Sequence, residues 1–410
     1  MKTTAIFTIT SGLHDEKTVS SLSDSFLGDI FPDREYDFYP EDFSAFGEYP
    51  LNLIYVRTGG AEGIFKELFP DIHRKCHGPV YLLTSGKSNS LAASMEILSY
   101  LRQQGIPGEI LHGPAGFIAG RIALLEKVGS ARKTLSGCRI GMVGAPSDWL
   151  IASHASPQAV KEKLGADIVE VPMDALLAAI AGAPEGEIPD GLPMKTDVSR
   201  SYPGAVQIYE ALRTVRREYD LQALTLRCFD LLTAVGNTGC FALARFNAEG
   251  VPSSCEGDVP ALLSMMIAHA VTGCTGFQAN PSRIDIQGGE LIFAHCTIPL
   301  NIPRSVQYDT HFESGIGVGI HGEFPEGPVT VFKVSGSLDR CFVAEGELLR
   351  NQYEDNLCRT QVVVRLTPEE AGYFLTDPIG NHHILIPGHH RAVLEAFVAS
   401  VGTECHGVRK

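Results

Sequence analysis

A chain of 410 residues exceeds one ordinary core, so two or three domains are expected. With 44% hydrophobic and 20% charged residues it is globular rather than disordered, and no apolar run reaches the roughly 18 residues a membrane span requires. A formal charge of −15, without clustered Lys or Arg, disfavours a nonspecific nucleic-acid binder.

The start, Met1-Lys2-Thr3-Thr4-Ala5-Ile6-Phe7, carries one lysine and a short apolar stretch. It reads as a first β-strand, Thr4 to Ile9, rather than a signal peptide. Residues 53–56 form a second strand, followed by Gly59-Gly60 and a helix from about Glu62. Residues 80–83 form a third, ending in Thr84-Ser85-Gly86, and a helix with one apolar face follows from Ser90 to Leu101. Short buried strands alternating with helices predict a doubly wound parallel sheet over 1–133.

Ser130 to Lys133 reads as a polar break after which the pattern restarts. Strands at 139–144, 167–171 and 224–228, with a helix from Gly204 to Tyr219, predict a second α/β domain over 134–299. Residues 182–197, rich in Gly, Pro and charge, form a loop. Val259 to Thr272 is nearly all apolar and predicts one buried helix, followed by a hairpin, 284–286 and 291–293, around Gln287-Gly288-Gly289. Beyond about residue 300, strand-like runs at 315–321, 329–334, 341–349 and 361–366 predict an antiparallel β-barrel over 300–410, closed by a helix from Arg391 to Val401.

The ten cysteines form no CxxC pair and read as reduced, packed residues of a cytoplasmic protein. Ser85-Gly86-Lys87-Ser88 resembles the end of a phosphate-binding loop, but Tyr81 stands where the pattern needs glycine. Gly141 to Gly144 lacks the spacing of a dinucleotide site.

The chemistry concentrates elsewhere. Cys255-Glu256-Gly257-Asp258 places two carboxylates just ahead of the buried helix, His295 ends the hairpin's second strand, and His382-His383 precede Ile384-Leu385-Ile386. Carboxylate and imidazole groups from three distant segments suit a divalent cation. The plainer readings are an N-cap role for Asp258, a core role for His295 and a surface cluster for residues 382, 383, 389 and 390.

Together with residues 82–93 and Pro146-Ser147-Asp148-Trp149-Leu150-Ile151-Ala152-Ser153, these motifs resemble the L-fucose isomerase and L-arabinose isomerase superfamily. The resemblance covers most of the chain. It implies two Rossmann-like α/β domains followed by a C-terminal β-barrel. It also implies a Mn²⁺-type cation, a free or modified sugar as substrate, and a cytoplasmic trimer or hexamer. Glu256, His295 and His382 map onto the family's metal ligands, with His383 as an off-by-one rival. The second carboxylate is expected soon after Phe277, where this chain reads Gln278-Ala279-Asn280. Asn280 is then the candidate neutral ligand, and Asp285 a carboxylate reaching in from the hairpin.

The activity implied is aldose–ketose interconversion, with Glu256 as ligand and base and Asp258 or Asp285 as the partner acid. The departure at 278–280 keeps two alternatives open: altered chemistry on a sugar derivative, such as carbon–carbon cleavage, and sugar binding without turnover. Arg227 and Arg283 are the candidate substrate-binding cations with His383, and Arg57, Lys87 and Lys333 are further cations of that kind.

Overall fold

The computed structural model describes residues 2–33, 35–76 and 78–405. They form two compact units, Met1–Lys133 and Thr134–Lys410. In the first unit, β1 (Thr4–Ile9), α1 (Glu16–Ile30), β2 (Tyr36–Pro40), β3 (Leu51–Val56), α2 (Glu62–Lys75), β4 (Val80–Leu83), α3 (Ser90–Gln103), β5 (Gly108–Leu111) and α4 (Ala115–Leu135) alternate along the chain. The strands make a parallel sheet of order β2-β1-β3-β4-β5. Every residue of β1 is buried, as a strand covered on both faces requires. The polar run Ser130 to Lys133 does not interrupt a helix. It lies inside α4, where Ser130 and Arg132 are half-buried and Lys133 is exposed, and the first unit ends at Lys133.

The second unit begins with β6 (Arg139–Val143), α5 (Pro157–Leu164), β7 (Asp167–Val171), α6 (Met173–Gly182), α7 (Tyr202–Glu218), β8 (Ala223–Leu226), α8 (Asp230–Ala234), α9 (Cys240–Ala248) and β9 (Ser253–Cys255). A four-stranded parallel sheet of order β7-β6-β8-β9 results. Helix α10 (Val259–Thr272) follows, capped by Asp258 at its start and by Gly273 at φ +78° at its end. Its residues from Val259 to Ala268 are all buried, which accounts for the missing polar face in the sequence.

Then come β10 (Phe277–Asp285), β11 (Glu290–His295), β12 (Val306–Asp309), β13 (Gly319–Gly322), β14 (Gly327–Val334), β15 (Arg340–Gln352), β16 (Thr360–Arg365), α11 (Pro368–Thr376), β17 (His383–Pro387), α12 (Arg391–Ser400) and β18 (Glu404–Cys405). Strands β14-β17-β10-β11-β16-β15 pair antiparallel, and β15 pairs back with β14. That closes a six-stranded antiparallel barrel. The hairpin β10–β11 belongs to this barrel through its pairing with β17 and β16, although it precedes residue 300. The run 315–321 yields only β13, which pairs with β12 outside the barrel. Cys341 and Cys405 form a disulfide, so the expectation of ten reduced cysteines is corrected for this pair, which the β15–β18 register brings together. No described helix is long and apolar enough to cross a membrane.

Candidate metal and substrate site

Three loops leave the carboxyl ends of β6, β8 and β9, where parallel sheets build their sites. The loop after β9 is the tightest. Glu256 and Gly257 both take left-handed conformations, at φ +66° and +70°. A Cβ at residue 257 would lie 2.4 Å from the Ala145 carbonyl oxygen, so only glycine fits there. The Ser147 N–H donates to the Glu256 carbonyl at 2.9 Å and ties the β6 loop to this turn.

Asp258 closes the turn. Its Oδ1 accepts the Ala261 N–H at 2.7 Å, the N-cap bond of α10, and lies 3.6 Å from Lys333 Nζ. Its Oδ2 is 2.8 Å from His382 Nδ1. One carboxylate therefore both caps α10 and contacts His382. Burial pushes the Asp258 carboxyl up, but Lys333 and His382 together hold it below the usual carboxylate range.

The barrel supplies the histidines. His295 ends β11, with Nδ1 2.8 Å from the buried Thr297 hydroxyl and Nε2 3.9 Å from Glu256 Oε1. His382 immediately precedes β17, with Nε2 3.4 Å from the same oxygen. The potential ligand atoms of Glu256, His295 and His382 all lie within 4.8 Å of one another, and all three residues are buried. His382 Nε2 is a buried atom without a hydrogen-bond partner among the described residues, so the 3.4 Å approach to Glu256 is an electrostatic contact.

Charge follows this geometry. Burial raises the Glu256 carboxyl, yet His295 and His382 overcome it and leave it far below the ordinary value. Burial opposes protonation of His382, but Asp258 and Glu256 on its two nitrogens raise it to about 9. Burial dominates at His295 and keeps it below the ordinary histidine value. An anionic carboxylate, an imidazole held through Nδ1 by a hydroxyl and another held through Nδ1 by a carboxylate form a donor set that fits a divalent cation. The orphaned Nε2 of His382 is the atom such a cation would satisfy.

The structure brings Asn280 beside this cluster. Its register partner Ala294 adjoins His295, and its Oδ1 accepts the side-chain N–H of Asn381, which adjoins His382. Gln278, also in the stretch expected to hold a second carboxylate, accepts the Cys255 N–H through Oε1 at 2.8 Å and leaves a buried Nε2 without a partner among the described residues. Two neutral amides therefore stand where the family pattern expects an acid.

Other candidates lie apart. Asp285 is five residues beyond Asn280 along β10, roughly 16 Å at the usual strand rise. It accepts the N–H groups of Gln287 and Gly288 in the hairpin turn. Arg283 is exposed and held by both oxygens of Glu354 at 2.9 Å. His383 is wholly buried, bonded to Tyr373 Oη and the Asn381 carbonyl, and burial drives it down to about 3. It packs against Phe342 and Phe374. Arg227 bonds the Pro146 carbonyl, Asp148 and Asp230 and so anchors the β6 loop. Arg57 is enclosed by Thr10, Ser20, Ser23 and Glu16 in the first unit, and Lys333 is buried against Asp258.

Sequence reasoning gives no role to Thr297, and it leaves Lys333 as one of several stray cations. Thr297 is two residues from His295, the separation that puts both side chains on one face of an extended chain. Lys333 is an isolated cation in the apolar run Val329–Val334, and such a residue requires a buried partner.

No family model matches the chain. It is 24% identical to sulfoquinovose isomerases of Priestia megaterium and Priestia aryabhattai over 295 residues, which are 68% of this chain and 66% of each relative. A sulfoquinovose isomerase of a Clostridium species is 30% identical over 176 residues, 39% of this chain and 37% of that one. The chain is a homologue of these proteins. They belong to the fucose/arabinose isomerase-like superfamily, in keeping with the motifs at residues 256–258, 295 and 382. The chain spans just under two thirds of the length of the two Priestia relatives it matches.

Proposed function

We propose that this chain is a metal-dependent isomerase that interconverts an aldose and a ketose, with sulfoquinovose as the first substrate to try. The observation that carries the reading is the convergence of Glu256 Oε1 and the Nε2 atoms of His295 and His382, with His382 Nε2 otherwise unpartnered. The names of the relatives support the reaction class and supply the sugar. Glu256, His295 and His382 would hold the cation, a Mn²⁺-type ion, with Asn280 as a neutral neighbour.

When bound, the cation would supply Lewis acidity towards adjacent carbonyl and hydroxyl oxygens of the sugar. The chain's own groups do the rest. Glu256, anionic over the working pH range, would take the proton from the carbon next to the carbonyl, and a partner acid would serve the neighbouring oxygen. Asp258 would orient His382 and preserve its Nδ1–H. Thr297 would do the same for His295. Assembly as a trimer or hexamer belongs to this reading as well.

The test is direct. Purified protein is stripped with chelator, reloaded with Mn²⁺ and incubated in D₂O with sulfoquinovose, L-fucose or L-arabinose. The expected result is a ketose carrying deuterium at the carbon next to the carbonyl, absent in chelated protein and in Glu256→Gln. Turnover by Glu256→Gln at the wild-type rate would remove Glu256 from the mechanism. A second reading, altered chemistry on a sugar derivative, is favoured by the neutral Gln278 and Asn280. Fragments of fewer carbons among the products would establish it.

A further inference from the structure

The segment Pro146 to Ser153 gained no task from the cluster itself, yet its tryptophan touches it. Trp149, the single tryptophan of the chain, donates its indole N–H to Glu256 Oε2 at 2.6 Å. That occupies one oxygen of the carboxylate and leaves Oε1 facing both histidines. The ring is nevertheless 52% exposed, unusual for a large aromatic whose polar atom is already engaged in a buried site. Phe229 packs edge-on against it at 4.9 Å, and His311 packs edge-on against Phe229 at 5.4 Å. These three rings come from the β6 loop, the β8 loop and the segment between β12 and β13. The β6 loop is fixed in turn by Arg227, which bonds the Pro146 carbonyl and Asp148 on either side of Ser147.

Resting on the isomerase reading above, we propose that Trp149 has two tasks at the site. Its N–H positions Glu256, turning one carboxylate oxygen towards His295 and His382. Its exposed face, continued by Phe229, forms the wall against which the C–H face of the sugar ring lies. Sites for small polar ligands combine apolar walls with a few fixed polar groups, and Trp149 brings both together, an open ring face and an N–H bonded to Glu256. The positioning task matters because a free glutamate has several rotamers, and only those directing Oε1 at both histidines complete the donor set.

The single tryptophan makes the test clean, because excitation at 295 nm reads Trp149 alone. Three proteins are compared with wild type: Trp149→Phe, which keeps an apolar ring without the donor, Trp149→Ala, which keeps neither, and Glu256→Gln. In chelator, the Trp149 emission maximum of Glu256→Gln should differ from that of wild type, because the charged acceptor at the indole N–H is gone. Calorimetric titration with MnCl₂ alone should show Trp149→Phe and Trp149→Ala binding about ten- to a hundredfold more weakly, the size of a hydrogen bond to a charged group. With sulfoquinovose, Trp149→Phe should lower kcat and leave KM within about threefold, whereas Trp149→Ala should also raise KM about tenfold.

Wild-type Mn²⁺ affinity in Trp149→Phe, with identical emission in wild type and Glu256→Gln, would overturn the positioning role. A wild-type KM in Trp149→Ala would overturn the wall. If no protein binds Mn²⁺, the metal reading fails by itself, and the emission comparison still decides whether Trp149 holds Glu256.

Discussion

Replacing Asp258 by asparagine separates two jobs that one carboxylate performs. The new side chain still offers one oxygen, and the N-cap bond to the Ala261 N–H at 2.7 Å is the cheapest to keep. The other side-chain position becomes an NH₂ group facing His382 Nδ1, where Asp258 Oδ2 now accepts at 2.8 Å. A donor there favours the tautomer with its proton on Nε2, the atom that must carry a lone pair to bind a cation. Loss of such a carboxylate–histidine contact weakens metal binding about 10- to 100-fold, or roughly 1.4–2.7 kcal/mol. Stability suffers separately, because Lys333, 1% exposed, loses the carboxylate 3.6 Å away. Breaking a buried ion pair in this way costs about 3–5 kcal/mol. The double variant Asp258→Asn, Lys333→Met removes the stranded ammonium and should recover most of that stability, while the tautomer defect persists. The assays are urea unfolding of chelated protein and calorimetric titration with MnCl₂. Wild-type Mn²⁺ affinity in the double variant would refute the orienting role of Asp258. Wild-type stability in the single variant would refute the charge compensation of Lys333.

In metal-free protein the raised value of His382, about 9, predicts a pH-dependent stability. A raised folded value contributes fully below the ordinary histidine value of about 6.5 and is lost as pH rises towards 9. Urea midpoints of chelated wild type should therefore fall over that window, and the fall should be absent in His382→Gln. Mn²⁺ affinity should move the other way, strengthening as pH rises, since the cation competes with the proton on Nε2. Asn280→Asp should tighten Mn²⁺ binding at least tenfold if residue 280 stands at the position of the second carboxylate, and unchanged calorimetric affinity would sink that placement. Gly257→Ala should cost about 1–3 kcal/mol in urea unfolding, since residue 257 sits at φ +70° with the Ala145 oxygen 2.4 Å from any Cβ. It should also weaken Mn²⁺ binding by displacing Glu256.

The parts of the fold legible in the sequence are those where burial is complete or strictly one-sided. Strand β1 and helix α10 are continuous apolar runs, and α3 shows one clean apolar face, so their patterns survive without context. Helix α11 escapes such a reading although Thr367-Pro368-Glu369-Glu370 is a capping box, because it is only nine residues long and lies between two barrel strands. The barrel membership of β10 is hidden for another reason. Asn280, Pro281 and a bulge before Arg283 interrupt its alternation, and its partner β17 lies about a hundred residues away. Cys405 lies on a two-residue strand that periodicity does not register, so its bond to Cys341 is equally out of reach.

The site divides along the same line. Glu256, His295 and His382 are conspicuous because carboxylate and imidazole groups stand out in apolar surroundings. Their immediate supports are harder to read: Lys333 stands out as a lone cation in an apolar run but its partner does not, and Thr297 and Trp149 act through contacts that only the folded chain creates. Asp285, Arg283 and His383 illustrate the converse, because residue type alone makes them candidates while position gives them a turn, a surface ion pair and an aromatic core contact.

The arrangement explains why those supports are needed. Glu256 comes from the end of a parallel strand, whereas His295 and His382 come from the barrel, so the candidate ligand set exists only where the two layers meet. Each ligand is then held from behind by its own layer or its neighbour: Glu256 by the β6 loop, His295 by Thr297, and His382 by Asp258 at the start of α10. Lys333 of β14 neutralises part of the negative charge that Asp258 adds. With neutral Gln278 and Asn280 in place of an acid, the cluster would present one carboxylate to a bound cation instead of two. Electrostatic attraction for a divalent ion would be reduced accordingly, and on the metal reading more of the affinity would come from preorganisation. That dependence is the reason substitutions behind the ligands, at Asp258, Gly257 and Trp149, should be felt so strongly in metal binding.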